Sequence, residues 1–197
     1  MEEYELRRLS MDDLRHVYRE HLTPDFPTAE RKPLAAMEKL HRAGRYDLWG
    51  LYDGEALAAY ALLWNDPDGG FVLLDYLGVA QDRPRGQGTG TAMVRALMER
   101  YGHTEGILVE AEAPDEAIPA EENELRQRRL AFYRRAGFRD LGYVAEIFGV
   151  RYAMFLSGQR SEEEAMEAHQ RLYHYEMTPW LYDRFIHIPE SGQAGCP

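Results

Sequence analysis

The chain has one cysteine, a shortage of basic charge and no long apolar segment. Cys196 alone cannot form an internal disulfide, which is typical of a protein in the reducing cytoplasm. Lysine and arginine number 23 against 34 acidic residues, a net charge of −11, which argues against nucleic-acid binding. The longest apolar run, residues 56–64, is too short to span a bilayer, and the N-terminal residues lack the apolar region of a signal peptide. We therefore expect a cytoplasmic protein with neither a membrane nor a nucleic-acid partner.

Metal-site patterns are also missing. The seven histidines are scattered and no carboxylate–histidine set has ligand spacing, so no metal is expected. The chain of 197 residues, 45% of them hydrophobic, can bury a real core and fits one compact domain with an appendage.

Apolar periodicity predicts strands and helices in the order βααβββαβαββ. Strands at 46–52 and 55–64 are joined by Asp53-Gly54, a strong hairpin signal. The second helix is predicted from Ala29, or from Arg31 because of Pro33, to residue 43. Further on, the strand at 71–79, a helix to about 101, a strand at 106–113 and a helix at 122–136 precede two closing strands.

A glycine-rich loop follows the apolar strand 71–79 and leads directly into a helix. Glycines allow backbone N–H groups to approach a ligand, and the start of a helix carries unpaired donors and partial positive charge. The loop 85–90 therefore predicts a phosphate or pyrophosphate ligand. A P-loop would need a lysine that is missing here, and the dinucleotide fingerprint fails because Thr91 stands where its third glycine belongs. A nicotinamide-dependent oxidoreductase is accordingly disfavoured.

The sequence Arg85-Gly86-Gln87-Gly88-Thr89-Gly90 fits the pattern Arg/Gln-x-x-Gly-x-Gly/Ala in full. It resembles the coenzyme A loop of the GNAT family of N-acetyltransferases. Strand 107–110 and the segment 132–138, with its Tyr-x-x-x-Gly-Phe element, resemble the family's later motifs. The resemblance implies an α/β fold with a mixed, partly splayed central sheet flanked by helices, forming a domain over 1–157, and acetyl-CoA as co-substrate with no metal.

The same resemblance assigns the cofactor contacts. A strand backbone at 77–79 would pair with the pantetheine arm and supply an oxyanion donor, and the loop would bind the pyrophosphate. The predicted cofactor-binding residues are Leu77, Gly78, Val79, Arg85, Gly86, Gln87, Gly88, Thr89, Gly90 and Asn123. One departure concerns the helix, because Arg126 stands where the family often has asparagine and Asn123 lies three residues earlier.

Transfer of an acetyl group to an amine needs a base for the ammonium proton and stabilisation of the leaving thiolate. Tyr133 matches the family tyrosine that serves the thiolate; we expect Phe132 to face the core and Tyr133 a cleft. Glu110 matches a strand glutamate that is a proposed base in some members. Glu112 shares its strand face, and Asp75 on the preceding strand is the rival. A water relay without a single base is a further alternative.

Residues 158–197 lie beyond the resemblance and form a predicted C-terminal helical extension. Ser161 with acidic residues after it predicts a helix to about Tyr175, and Thr178 caps a short second helix. The segment is rich in aromatic residues, whose apolar area must be covered. We expect it to pack on the domain; a homodimer contact and a lid over the substrate cleft are the alternatives.

Together these patterns predict an enzyme that transfers acetyl from acetyl-CoA to a primary amine of a small molecule or peptide by direct attack. The alternative is a non-catalytic, acyl-CoA-binding regulatory module on the same fold, because a fold alone does not establish activity.

Overall fold

A computed structural model of the chain describes residues 4–28, 31–84 and 86–190. Within these residues it is an α/β fold whose eight strands form a mixed sheet flanked by helices, which confirms the predicted fold class. Contacts divide the chain into two compact units. The first comprises residues 1–65 and 74–100, and the second residues 66–73 and 101–197.

The first unit begins with strand β1 and a helix whose end is irregular. Its elements are β1 (Tyr4–Arg8), α1 (Met11–Val17), α2 (Leu34–Arg42), β2 (Tyr46–Asp53), β3 (Ala56–Asn65), the residues 74–79 of β4 (Phe71–Val79), and α3 (Thr89–Arg100). A π-helical turn, Tyr18–Leu22, and a short helical turn, Thr23–Asp25, continue α1. Strands β1, β2 and β3 are antiparallel neighbours.

Strand β3 is the centre of this unit. Residues 58–64 are each at most 1% exposed, since strands lie on both sides and both faces are covered. The apolar run that is too short for a bilayer is therefore a core strand. Across the described residues, no helix combines the length and the apolar character needed to cross a membrane.

The second unit holds the later motifs and the extension. Its elements are β5 (Gly106–Glu112), α4 (Ala120–Arg135), β6 (Arg139–Ile147), β7 (Val150–Ser157), α5 (Glu162–Glu176), α6 (Pro179–Phe185) and β8 (Ile186–His187). Strand β7 lies between β5 and β6, antiparallel to both, and β8 pairs with the far edge of β6. The extension thus adds two helices, as predicted, and a short strand that the sequence pattern did not indicate.

Side-chain capping explains where α5 begins. The Ser161 hydroxyl accepts from the Glu164 N–H while the Glu164 carboxylate accepts from the Ser161 N–H, so two unpaired donors of the first turn are satisfied. The buried face of α5 combines two alanines, one leucine and two aromatic rings. These are Ala165, Ala168, His169, Leu172 and Tyr173.

Two helix starts differ from the predicted ones, and proline is the reason in both. Helix α2 begins at Leu34 after Pro33, and α4 begins at Ala120 after Pro119. Each proline has an extended ψ and directly precedes the first helical residue. The fixed φ of proline is compatible with a helix entrance. Its missing N–H would leave a hydrogen bond unmade inside the helix. Residues 29 and 30, where the earlier start was predicted, lie outside the described residues.

Candidate active site

The glycine loop precedes α3 in the first unit. Gly86 and Gly88 have φ of +87° and +92°, which side chains rarely adopt, and a Cβ at either would meet nothing within 4 Å. The loop backbone is therefore shaped by glycine and is not crowded by the protein. Thr89 opens α3; it is buried, and its hydroxyl lies 3.3 Å from the Tyr4 hydroxyl. Arg85 lies outside the described residues.

The neighbouring Arg83 is already paired. Its guanidinium donates to Asp53 at 2.7 Å, at the end of β2. This ion pair braces the entrance of the loop and raises the pKa of Arg83 through the hydrogen bond to Asp53. The positive charge of Arg83 beside the loop is thus partly balanced by a fixed carboxylate.

Strand residues 77–79 carry a glycine for a packing reason. A Cβ on Gly78 would lie 2.3 Å from the Tyr60 ring, and Tyr60 itself is fully buried on β3. The Tyr60 hydroxyl donates to Asp25 at 3.2 Å, which fixes the ring further. Gly78 is therefore required by the ring of Tyr60. Leu77 and Val79, on either side, are half-buried.

Asp75, two residues before Leu77, is bound by a cation and a phenol. Lys32 donates to its Oδ2 at 2.6 Å, and the Tyr46 hydroxyl donates to the same oxygen. The Lys32 ammonium also lies 4.3 Å from the centre of the Trp64 ring, a cation–π distance. Both charged side chains are largely buried, so Asp75 belongs to a compact ion pair.

Glu110 on β5 lies in a buried hydrogen-bonded cluster of the second unit. Its Oε1 is 2.7 Å from His169 Nε2 and accepts from the Tyr173 hydroxyl at 2.9 Å. His169 is fully buried, and its Nδ1 lies 3.2 Å from the Tyr143 hydroxyl of β6. The Glu110 side chain is 13% exposed, so the cluster is partly open to solvent at this residue.

Tyr143 determines how the protons of this cluster are arranged. Its burial, reinforced by the negative charges of Glu110 and Glu162, raises the pKa of the phenol far above its usual value. Tyr143 therefore keeps its proton and can donate it to His169 Nδ1. With a neutral imidazole, the remaining proton is on Nε2 and is donated to Glu110, which satisfies both ring nitrogens.

Glu112 has different partners from Glu110, although the two are separated by one residue of β5. Arg126 Nη2 lies 2.9 Å from its Oε1 in an ion pair, and Arg129 donates to its Oε2 at 2.5 Å, both from α4. Arg126 also donates to the carbonyl of Ala113 at 3.0 Å. Glu112 is thus a structural anchor between β5 and α4, and Arg126 is its partner.

Asn123 supports the acidic loop that precedes α4. Its side-chain oxygen accepts from the Asp115 N–H at 3.1 Å. The amide nitrogen of its side chain is the group that it would offer to a cofactor.

Tyr133 is more deeply buried than the sequence pattern suggested. The ring is 7% exposed and contacts Phe132, Phe138 and Phe155, whereas Phe132 is half-buried, the reverse of the expected order. Burial raises the pKa of Tyr133 to about 12, with Arg129 opposing the change. At neutral pH the hydroxyl is therefore a neutral hydrogen-bond donor.

Sequence reasoning named Glu110 as a candidate but missed its two direct partners, His169 and Tyr173, and Tyr143 behind His169. His169 and Tyr173 are four residues apart on α5 and so share a helix face, a pattern readable from sequence. Their contact with a strand glutamate is long-range and is not readable in that way. Among residues 4–28, 31–84 and 86–190, no three histidine, cysteine or acidic side chains are grouped so as to hold a metal ion.

Comparisons with known proteins agree on one family. A family model described as "Acetyltransferase (GNAT) family" matches residues 11–138. Among curated proteins, none matches the chain significantly. A solved GNAT-family protein from Bacteroides thetaiotaomicron is 19% identical with a TM-score of 0.68, and the match covers 88% of this chain and 99% of that one.

Two further solved structures are those of enzymes with named acceptors. A mutant spermidine N-acetyltransferase from Vibrio cholerae is 15% identical with a TM-score of 0.56, covering 78% of this chain and 92% of that one. A ribosomal-protein alanine N-acetyltransferase from Escherichia coli is 17% identical with a TM-score of 0.58, covering 81% and 97%. At these identities the likeness concerns the fold alone.

Proposed function

Because the chain belongs to the GNAT acetyltransferase family, we propose that it is an N-acetyltransferase that moves an acetyl group from acetyl-CoA to a primary amine of a small molecule or peptide. The observation that carries the proposal is the loop before α3. Its left-handed glycines, Gly86 and Gly88, leave the backbone open at the start of a helix, where unpaired N–H groups suit a pyrophosphate.

The cofactor contacts follow from this assignment. The N–H groups of residues 86–90 would bind the pyrophosphate, and Arg85 would add a guanidinium. The backbone at Leu77–Val79 would pair with the pantetheine arm and donate to the oxyanion. Asn123 would contribute its side-chain nitrogen. Acetyl-CoA is then a co-substrate, and no metal takes part.

Direct attack forms a C–N bond and breaks the C–S bond of the thioester. The acceptor must first lose its ammonium proton, and Glu110 is the proposed base. Glu112 and Asp75 remain alternatives, but each already forms a close ion pair with a cationic side chain. Glu110 has an imidazole and a phenol instead.

The leaving thiolate is the second charge to be stabilised. A thiol has an ordinary pKa of about 8.5, well below the value of about 12 to which burial raises the pKa of Tyr133. Transfer of the tyrosine proton to the thiolate would therefore be unfavourable. Tyr133 would act as a hydrogen-bond donor to the thiolate sulfur, which then takes a proton from solvent.

The acceptor is proposed only as a primary amine in the cytoplasm. The two named enzymes of the same fold act on a polyamine and on a protein alanine, two very different amines. The net charge of −11 suits a cationic acceptor, although acidic surfaces also serve solubility.

A panel of amines incubated with acetyl-CoA tests the proposal. Release of free thiol, with mass-spectrometric detection of the acetylated amine, is the expected result. Binding of acetyl-CoA by calorimetry without transfer to any amine would favour the non-catalytic acyl-CoA-binding module. Absence of acetyl-CoA binding would overturn both functions, and Gly88→Val gives the matched control because it should lose about 2 kcal/mol or more of binding.

A further inference from the structure

The extension that follows the family match reaches the proposed base. Helix α5 lies wholly beyond residue 138, yet its His169 and Tyr173 both bind Glu110. We propose that these two side chains are positioning residues for Glu110, which hold Oε1 so that Oε2 is the atom that accepts the substrate proton. This inference rests on the proposed N-acetyltransferase function.

The first step of the argument is that both bonds end on one oxygen. His169 Nε2 lies 2.7 Å from Oε1, and the Tyr173 hydroxyl donates to Oε1 at 2.9 Å. Neither uses Oε2. A glutamate side chain has several rotatable bonds, so two donors on one oxygen fix the direction of the other. Alignment of this kind governs proton transfer, because small displacements of a reacting group cost large factors in rate.

The second step is that both ring nitrogens of His169 have hydrogen-bond partners within the cluster. It is 0% exposed, and a buried imidazole needs a partner for each nitrogen. Tyr143 supplies one partner from β6 and Glu110 the other from β5. Because a carboxylate oxygen can only accept, Nε2 donates to Glu110, and in a neutral ring Nδ1 then accepts from the Tyr143 hydroxyl.

The third step concerns the charges around the carboxylate. The titratable groups that face it are His169 and Tyr173 of α5, with Tyr143 of β6 behind the imidazole and Glu162 near Tyr143. Glu112, next on the same face of β5, is paired with Arg126 and Arg129. Among the described residues no arginine or lysine forms an ion pair with Glu110, whose Oε1 instead receives the imidazole of His169 and the phenol of Tyr173.

The test compares variants that remove or keep a donor to Oε1. Tyr173→Phe and His169→Leu each remove one, whereas His169→Gln keeps an amide N–H at about the position of Nε2. His174→Gln is the matched control, because His174 is an exposed histidine of the same helix, stacked on Tyr182. The measurements are kcat and KM for an amine found in the panel, the acetyl-CoA Kd and the Tm.

The expected result is a fall in kcat of about tenfold or more for Tyr173→Phe and His169→Leu, as misalignment of a reacting group produces. The acetyl-CoA Kd should stay within about twofold, and His169→Gln should recover most of kcat. In the Glu110→Gln background, Tyr173→Phe should cause little further loss, because the group it positions is no longer a base. A merely structural role would not produce that non-additivity.

Three results would overturn the inference. Wild-type kcat in Tyr173→Phe, losses that multiply in the Glu110→Gln background, or a lower Tm with unchanged kcat would each reduce the pair to a structural role. His169→Leu could fail to fold, and Tyr173→Phe, which removes a single hydroxyl, then carries the test. If the wild type transfers nothing to any amine, the proposed function fails and this inference with it; wild-type turnover with unaffected variants contradicts the inference alone.

Discussion

Asp75 in the first unit and Glu110 in the second are both strand carboxylates with two donors on a single oxygen. Asp75 receives the Lys32 ammonium and the Tyr46 phenol on Oδ2, and Glu110 receives the His169 imidazole and the Tyr173 phenol on Oε1. The difference is the kind of donor. An ammonium and a carboxylate form an ion pair, whereas an imidazole and a phenol orient the carboxylate through directional hydrogen bonds.

The contrast separates two uses of the same chemical group. Asp75 with Lys32 forms an ion pair that fastens the segment before α2 to β4. Glu110 stands at the partly exposed end of a buried cluster, where an oriented carboxylate can exchange a proton. The type of partner, an imidazole in place of an ammonium, distinguishes the candidate base from its rival.

The largest expected effect is the loss of catalytic rate in Glu110→Gln, a substitution that keeps the shape of the side chain and removes the base. We expect kcat to fall about 10²-fold near neutral pH, in the usual range for a general base. The rate should recover partly at high pH, because an alkyl amine with a pKa of about 10.4 then loses its proton unaided. Steady-state kinetics from pH 6 to pH 9.5 with one saturating amine measure both effects.

Glu112→Gln is the control for that variant, since it makes the same substitution two residues further along the strand. Its partners are Arg126 and Arg129, so stability should suffer while kcat stays within about threefold. An equal fall in kcat for both variants would contradict the distinction between the two glutamates. It would indicate that catalysis depends on the total negative charge of this strand face.

A smaller effect is expected when Asp75 is changed. Asp75→Asn leaves the Lys32 ammonium, whose side chain is only 20% exposed, without its counter-ion. The free energy of unfolding should fall by about 2 kcal/mol, less than for a fully buried pair because both groups keep some solvent. Urea unfolding measures the loss, and kcat should change much less than in Glu110→Gln.

The double variant Lys32→Met with Asp75→Asn sharpens this result. Removing both charges should restore part of the lost stability, because an unpaired buried charge costs more than a replaced pair. A large fall in kcat for Asp75→Asn at unchanged stability would exchange the roles of the two carboxylates.

The smallest effect is a change in the pH dependence of stability, which arises from the buried Tyr133 of the second unit. Burial raises the pKa of Tyr133 from its ordinary value of 10 to about 12. Between these pH values the unfolded chain loses the proton and the folded chain keeps it, so the free energy of unfolding falls as pH rises, by up to about 1.4 kcal/mol per pH unit. Below pH 10 the contribution is fully present.

Tyr133→Phe should remove that part of the pH dependence. From pH 7 to pH 9 the free energies of unfolding of the variant and the wild type should differ by a constant amount. Above pH 10 the wild type should lose stability faster than the variant. Urea titrations at each pH measure it. Parallel curves up to pH 11.5 would mean that Tyr133 is accessible enough to ionise normally.

Local signals predicted much of the fold. The apolar run 56–64, the Asp53-Gly54 turn and the capping serine Ser161 each depend on neighbouring residues, and β3, its hairpin and α5 follow from them. The GNAT family that the glycine loop and the Tyr-x-x-x-Gly-Phe element indicated is confirmed. Helix starts beside Pro33 and Pro119 were displaced by a few residues, because competing capping signals differ only slightly in energy.

The parts of the candidate site that could be predicted from sequence are those whose residues lie in one continuous segment. The glycine loop could be predicted from sequence because Gly86 and Gly88 are separated by one residue within a single short motif. Its ligand stays a prediction. The partners of Glu110 could not be read, since β5, β6 and α5 meet only after the second unit has folded. The burial of Tyr133 relative to Phe132 likewise depends on Phe138 and Phe155, which helical geometry alone does not locate.

The contact between Gly78 and Tyr60 has a consequence for how this chain can diverge. Because a Cβ at position 78 would overlap the Tyr60 ring, position 78 cannot gain a side chain while Tyr60 keeps its place. Homologues with alanine or serine at position 78 are expected to have a smaller residue at position 60, and the order of substitution must begin with the tyrosine. The dependence runs in one direction, so a library that varies both positions should recover alanine or serine at 78 only together with a smaller residue at 60.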